Sequence, residues 1–164
     1  MLFRSGIDGF IAGSRKLSSD AVAIMHDITP VTIQFGASGT KALAVSTGRI
    51  FGRYAYQGVD LVMTNFVQLY TQLERIKTLE GDMWKMLSLE CLYMFETLTP
   101  SLPPSPNKPL DLDLSGLEAA RRSYKAVVWH IGTLGGSVRD DLPGIDKPET
   151  VSEIEDRNQV WINK

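Results

Sequence analysis

Residues 59–98 read VDLVMTNFVQLYTQLERIKTLEGDMWKMLSLECLYMFETL, a stretch rich in apolar side chains in which only Gly81 interrupts the pattern. In its first half the apolar positions are separated by alternating steps of three and four, the period that keeps one face of an α-helix buried. The spacing predicts a helix over residues 59–79, with an apolar face made by Val59, Val62, Phe66, Leu69, Leu73 and Ile76.

The second half, residues 82–98, is apolar on more than one side. The three-four spacing continues through Trp84, Leu87, Cys91, Met94 and Leu98, and the other faces carry Met83, Met86, Leu89, Tyr93 and Phe95. A helix that is apolar nearly all round must be surrounded by other elements. We therefore expect a second helix here with more apolar surface than one neighbouring helix can bury. Whether the two helices are continuous through Gly81 is left open.

The segments before this stretch favour β-structure. Val31, Ile33 and Phe35 alternate with polar residues and are followed by the turn-forming residues 36–39, which is typical of a strand. Residues 41–45 and 50–56 read as two further short strands on either side of a turn at 46–48, so an antiparallel meander is expected. Residues 18–28 fit a short helix or a strand equally well, and residues 1–16 form an N-terminal arm.

The C-terminal part alternates between connectors and helical patterns. Residues 99–110 form a proline-rich connector, and Ser115 with Glu118 matches a capping box that opens a third helix over residues 117–134. Residues 139–164 form an acidic tail, in which Thr150 and Glu153 predict one or two helical turns. The fold class expected is α+β in a single domain of residues 1–164: a small N-terminal antiparallel meander followed by a mainly helical body of three main helices.

Composition limits the function classes. The chain has 164 residues with a net charge of −2, which argues against a protein held on nucleic acid by bulk positive charge. A single cysteine, Cys91, excludes an internal disulfide and fits a reducing compartment. No stretch is long and apolar enough for a membrane span, and Asp8 and Gly9 interrupt what a secretory signal would need. A location in the cytoplasm, or within a particle assembled in the cytoplasm, is expected.

Two weak motifs suggest ligands. The order strand, glycine loop and Thr-Lys across Gly36, Gly39, Thr40 and Lys41 is an incomplete match to a phosphate-binding loop, because the glycine spacing is too short and Thr40 precedes Lys41. A mixture of basic and aromatic residues, Arg49, Arg53 and Tyr54, is an alternative surface for nucleic acid. No complete catalytic constellation, metal-ligand set or cofactor motif is present, so no enzymatic activity, metal or cofactor is predicted.

The function favoured is a non-enzymatic structural or interaction subunit of a larger homo-oligomeric assembly, with a virion or tail-like particle as one setting. Its partners would be copies of itself and other assembly proteins. The apolar excess of residues 82–98 motivates this prediction. The candidate interaction residues are Phe3, Phe10, Trp84, Tyr93, Phe95 and Trp161. The alternatives are a phosphate- or nucleotide-binding module at residues 36–41 and, more weakly, a nucleic-acid-contacting subunit.

Overall fold

A computed structural model describes residues 8, 11, 12, 15, 21–102 and 110–164. The predicted N-terminal arm, with Phe3 and Phe10, lies almost wholly outside these residues, as does most of the predicted proline-rich connector. The first residues of that connector, Thr99 and Pro100, are the end of a strand.

The described residues form one four-stranded antiparallel sheet in the order β1-β2-β3-β4, so each strand pairs with its neighbour in the chain. The strands are β1 (Ala21–Phe35), β2 (Lys41–Tyr56), β3 (Val59–Thr78) and β4 (Gly81–Pro100). Strands β1 and β4 are the two edges. This topology needs only short connections, and each connection is a tight turn.

The helices predicted for residues 59–79 and 82–98 are wrong, because these residues form strands β3 and β4. The body of the protein is therefore mainly β-sheet, and the expected mainly helical body is corrected. For β3 the physical reason is burial on both sides, since the consecutive residues Met63, Thr64 and Asn65 are all buried, whereas the first part of β4 carries apolar side chains that are exposed on both faces. A strand buried on both faces shows no apolar-polar alternation, and its apolar residues fall at three-four spacing by chance.

The turns explain why the strands begin and end where they do. Gln57 and Gly58 both have positive φ, of 50° and 75°, which is the backbone of a two-residue hairpin turn between β2 and β3. Gly81, with φ of 120°, begins β4 after the turn at Leu79 and Glu80. The turn predicted after Phe35 is present. The turn predicted at residues 46–48 is not, because β2 runs through them as one strand of 16 residues.

The described part of the chain past β4 carries two short helices, α1 (Lys125–Thr133) and α2 (Pro148–Ile162), and a 3-10 turn at Arg122–Tyr124. The third predicted helix thus begins eight residues later than expected. Ser115 lies in a turn, where its N–H donates to the Asp113 carboxylate at 2.9 Å, and it does not cap the helix. The predicted end at Gly135 is confirmed by its φ of 71°. The acidic tail forms four helical turns, longer than predicted.

The chain divides into two compact units. Unit 1 takes in Ile50–Asn65 and Phe95–Asp141 with the described residues up to His26, and unit 2 takes in Asp27–Arg49, Phe66–Met94 and Leu142–Lys164. In unit 2 the side of α2 that bears Ile154 and Ile162 packs on the sheet, forming a core with Leu43, Tyr70 and Leu92. No helix among the described residues is long and apolar enough to cross a membrane.

Candidate interaction surface

Strand β1 exposes side chains along most of its length. From residue 23 to residue 35 every residue except Asp27 is exposed. A strand that packs one face on a core normally buries alternate side chains, so exposure of successive residues means that neither face of β1 is well covered by the described residues. The exposed apolar side chains are Ile24, Met25, Ile28, Val31, Ile33 and Phe35, of which the last three are exposed by 57–62%.

The outer side of β1 also presents backbone donors. The N–H of Gly36 donates to the Lys41 carbonyl at 3.0 Å and therefore points toward β2. Because N–H groups alternate sides along an antiparallel strand, those of Phe35, Ile33 and Val31 point away from the sheet.

Strand β4, the opposite edge, is exposed at its beginning. All residues from Gly81 to Leu87 are exposed, as is Leu89. Lys85 is the single charged residue between Met83 and Leu89, so the stretch carries little of the charge with which edge strands usually discourage pairing. The exposed apolar side chains are Met83, Trp84, Met86, Leu87 and Leu89, at 39–61%.

Further along β4 the outer side is covered. The Tyr93 N–H donates to the Pro143 carbonyl and the Ile145 N–H donates to the Tyr93 carbonyl, both at 3.0 Å, so a short parallel bridge joins Tyr93 and Gly144. Between residues 81 and 92, no other described residue makes a backbone hydrogen bond to this outer side. The open part of the β4 edge therefore ends at Tyr93.

Helix α2 is fixed on the sheet by polar contacts around its apolar core. The Tyr70 hydroxyl donates to the Glu155 carboxylate at 3.1 Å, and burial together with this carboxylate raises the pKa of Tyr70 to about 12. The Gln72 amide donates to the Asn158 side-chain carbonyl at 2.8 Å. Arg157 of α2 forms an ion pair with Glu90 of β4, at 2.6 Å. These contacts set α2 across β3 and β4 in one orientation.

The predicted anion-binding residues form the β1–β2 turn. Gly36 lies against the end of α2, where an added Cβ would come 2.6 Å from the Ile162 carbonyl oxygen. The Lys41 ammonium donates to the Trp161 carbonyl at 3.2 Å and lies 5.2 Å from the centre of the Trp161 ring. Lys41 thus places a positive charge at the C-terminus of α2, where the helix dipole favours it. Gly39 and Thr40 lie in the same turn. Anion binding stays a prediction. In the structure, the contacts of Lys41 with Trp161 help to hold the end of α2 against the β1–β2 turn.

The predicted nucleic-acid residues are also engaged within the chain. Arg49 forms an ion pair with Asp27, and Arg53 forms one with Asp60. Both pairs are about half exposed, so each stabilises the fold by roughly 0–1 kcal/mol. The Tyr54 ring is 3.8 Å from the His130 ring, centre to centre, and burial raises the pKa of its hydroxyl. Nucleic-acid contact stays a prediction, and the two arginines have carboxylate partners that a phosphate would have to displace.

Helix α1 is held by a carboxylate from β4. The N–H groups of Ala126 and Val127 donate to Glu96, the second at 3.2 Å, which satisfies donors that a helix N-terminus otherwise leaves open. Burial raises the pKa of the Glu96 carboxyl, and the two backbone hydrogen bonds act in the opposite direction. An aromatic contact adds to this anchoring, with the Tyr56 and Trp129 rings 4.9 Å apart.

A shallow, open cavity of about 430 Å³ lies beside α1, lined by Tyr56, Asp113, Ser115, Trp129 and neighbouring residues. Its one carboxylate, Asp113, already accepts the Ser115 N–H. In the part of the chain that the structure describes, no three His, Cys, Asp or Glu side chains gather as metal ligands would. Neither observation identifies a reaction or a ligand.

The structure separates the predicted interaction residues into two groups. Trp84 and Phe95 are exposed on β4 by 39% and 49%, and the Trp84 ring meets the Phe35 ring edge-on at 5.9 Å. Tyr93 makes the edge bridge, and Trp161 packs beside the core of its own chain. Sequence reasoning missed Val31, Ile33 and Phe35 as surface residues. The signal available was the uncharged run ITPVTIQF over residues 28–35.

A scan of the chain against models of protein families finds no match. A search among curated proteins finds no similar sequence either. Neither comparison supports the virion or tail-like setting expected from the sequence. The function proposed below depends on the geometry of the sheet edges.

Proposed function

We propose that the protein is a non-enzymatic structural subunit that associates with copies of itself through the exposed edges of its β-sheet. The observation that carries the proposal is the pair of open, apolar edge strands. An edge strand presents a row of N–H and C=O groups ready to pair with another strand, and proteins that remain monomeric usually protect such edges with charges, bulges or covering segments. Strand β1 has no charged residue from Ile28 to Phe35.

Two features of the chain fit a stable building block. Helix α2 is fixed to the sheet by its core and by the Tyr70–Glu155 and Arg157–Glu90 contacts, so the surface presented to a partner is preformed. Burial raises the pKa of the Cys91 thiol to about 12, which keeps it protonated and unreactive. As part of the proposal, the protein acts in the cytoplasm, where a lone reduced cysteine is usual.

Light scattering after size exclusion tests the proposal, with two matched variants. Val31 on β1 and Val160 on α2 are exposed to nearly the same extent, 59% and 55%. We expect the wild-type chain to be an oligomer at micromolar concentration. Val31→Lys would place a charge in the pairing edge and raise the concentration for half-assembly by about tenfold or more, since each 1.4 kcal/mol of lost association free energy is a factor of ten.

Val160→Lys is the control and should assemble as the wild type does, because α2 is not the proposed interface. Circular dichroism of each variant establishes that the fold is retained. A wild-type chain that is monomeric at micromolar concentration contradicts the proposal. Equal loss of assembly in both variants would place the interface elsewhere.

A further inference from the structure

We infer that the copies join head to tail, with β1 of one copy pairing beside β4 of the next in a continuous antiparallel sheet. The inference rests on the proposed self-association and specifies its geometry. A second copy of this chain is the occupant of both edges. Each copy then uses two different surfaces, so the contact is heterologous and can close into a ring.

Strand direction supports this arrangement. In a four-stranded antiparallel meander the first and last strands run in opposite directions. Strand β1 of one copy therefore lies antiparallel to β4 of a neighbour when the two copies have the same orientation, and the alternation of directions continues unbroken. Pairing of β1 with β1 would require a twofold axis instead and would leave both β4 edges open.

The open parts of the two edges also lie at the same end of the sheet. Strand β1 ends there at Phe35, before the β1–β2 turn, and β4 begins there at Gly81, after the β3–β4 turn. The proposed pairing places residues 29–35 of β1 beside residues 83–89 of β4 of the neighbouring copy. Each stretch has seven residues, about 23 Å of strand at 3.3 Å per residue.

The bridge at Tyr93 sets a limit on the pairing. Because the segment around Gly144 already occupies the outer side of β4 there, a neighbouring β1 has to stop before it. The stretch left open, Met83–Leu89, is the part of β4 where apolar exposure is concentrated. A neighbouring β1 that stops before Tyr93 would therefore pair with the part of β4 that exposes apolar side chains.

The area of one such contact favours a ring over an isolated dimer. Nine apolar side chains on the two stretches and at Ile28 are on average about half exposed. At about 60–120 Å² of apolar surface per fully exposed side chain, they would bury about 270–540 Å². Since about 57% of an ordinary interface is apolar, the whole contact would be about 500–950 Å², below the 1,200 Å² of a stable pair. A closed ring gives every copy two contacts.

Disulfide trapping in a Cys91→Ser background tests the pairing. Ile33→Cys is co-expressed, with a different tag, with Met83→Cys, Met86→Cys, Leu87→Cys or Leu89→Cys in turn, which samples neighbouring registers and both faces of β4. We expect at least one of these pairs to form a disulfide between the two tagged chains. Ile33→Cys expressed alone should form none, and Ile33→Cys with Val160→Cys should form none.

Light scattering of the same samples tests self-association separately from the head-to-tail pairing. Oligomers in which Ile33→Cys links to itself, or in which none of the four pairs links, overturn the head-to-tail pairing and leave self-association standing. Monomers in every sample overturn the self-association itself. Linked chains within oligomers of discrete size support both, whereas linked chains only in polydisperse aggregates indicate non-specific edge pairing and overturn the ring.

Discussion

The contact between Gly36 and the end of α2 gives a sharp test of how the helix is seated. A Cβ at residue 36 would lie 2.6 Å from the Ile162 carbonyl oxygen, which belongs to the backbone and cannot rotate away. An ordinary contact begins near 3.4 Å, so Gly36→Ala requires the two backbones to separate by about 0.8 Å. The substitution therefore acts on the position of the whole helix end.

The cost follows from what that helix end buries. Ile162 is 2% exposed and packs in the core with Leu43, Tyr70, Leu92 and Ile154. Overpacking of a core that has to shift by this much typically costs about 1–3 kcal/mol. In a chain of this size, a loss of about 2 kcal/mol lowers the melting temperature by about 4–8 °C. We expect that loss for Gly36→Ala, with a weaker Lys41–Trp161 contact.

Gly48→Ala is a matched control, because its nominal clash is just as short and its partner differs. The nearest atom is the Ile28 Cδ1 at 2.5 Å, the flexible end of an exposed side chain, while the nearest backbone atom is 3.2 Å away. Rotation of Ile28 should hold the cost of Gly48→Ala below about 1 kcal/mol. Urea titrations of both variants give the comparison. Equal destabilisation of the two, or none in Gly36→Ala, would refute the seating of α2 against the β1–β2 turn.

Two further predictions concern α1. Gly132 lies inside the helix with nothing within 4 Å of an added Cβ, so Gly132→Ala should raise the free energy of unfolding by about 0.5–1 kcal/mol in urea titration; destabilisation would contradict the open surroundings. The pKa of Glu96 is raised in the folded state above its ordinary value of 4.5. The Glu96 carboxyl therefore stabilises the fold most when the pH is below 4.5, and this contribution declines as the pH rises through the raised pKa. The stability of the wild type relative to Glu96→Gln should fall as the pH rises above 4.5, and a constant difference would refute the burial of this carboxyl.

The features that could be predicted correctly from the sequence are turns and helix ends, which depend on residues that are neighbours in the chain. The turn after Phe35 and the helix end at Gly135 both depend on glycines that accept unusual or crowded backbone positions. The identity of residues 59–98 could not be read in the same way. Leu61, Met63 and Val67 are buried on β3, yet so is Thr64 between them, and that pattern follows from packing by distant parts of the chain.

The candidate surface shows a related limit. Sequence alternation identified Val31, Ile33 and Phe35 as strand residues, but alternation alone implied that they face a core. Whether a strand is central or at an edge depends on the order of all the strands, and that order became visible only once residues 59–98 were known to pair beside β2. The sequence predicts Trp84 as an interaction residue on a helix, whereas in the structure Trp84 is exposed on the edge strand β4.

Strands β3 and β4 are unusually long. Strands β3 and β4 have 20 residues each, about 66 Å at 3.3 Å per residue, whereas strands of globular proteins usually have 3–10 residues. Helix α2, with 15 residues, spans about 22 Å at 1.5 Å per residue, and α1 spans about 14 Å. The two helices together reach little more than half of one long strand. The described helices are therefore too short to cover a sheet of this length, and in the proposed self-association the strands of neighbouring copies would pair with its open edges.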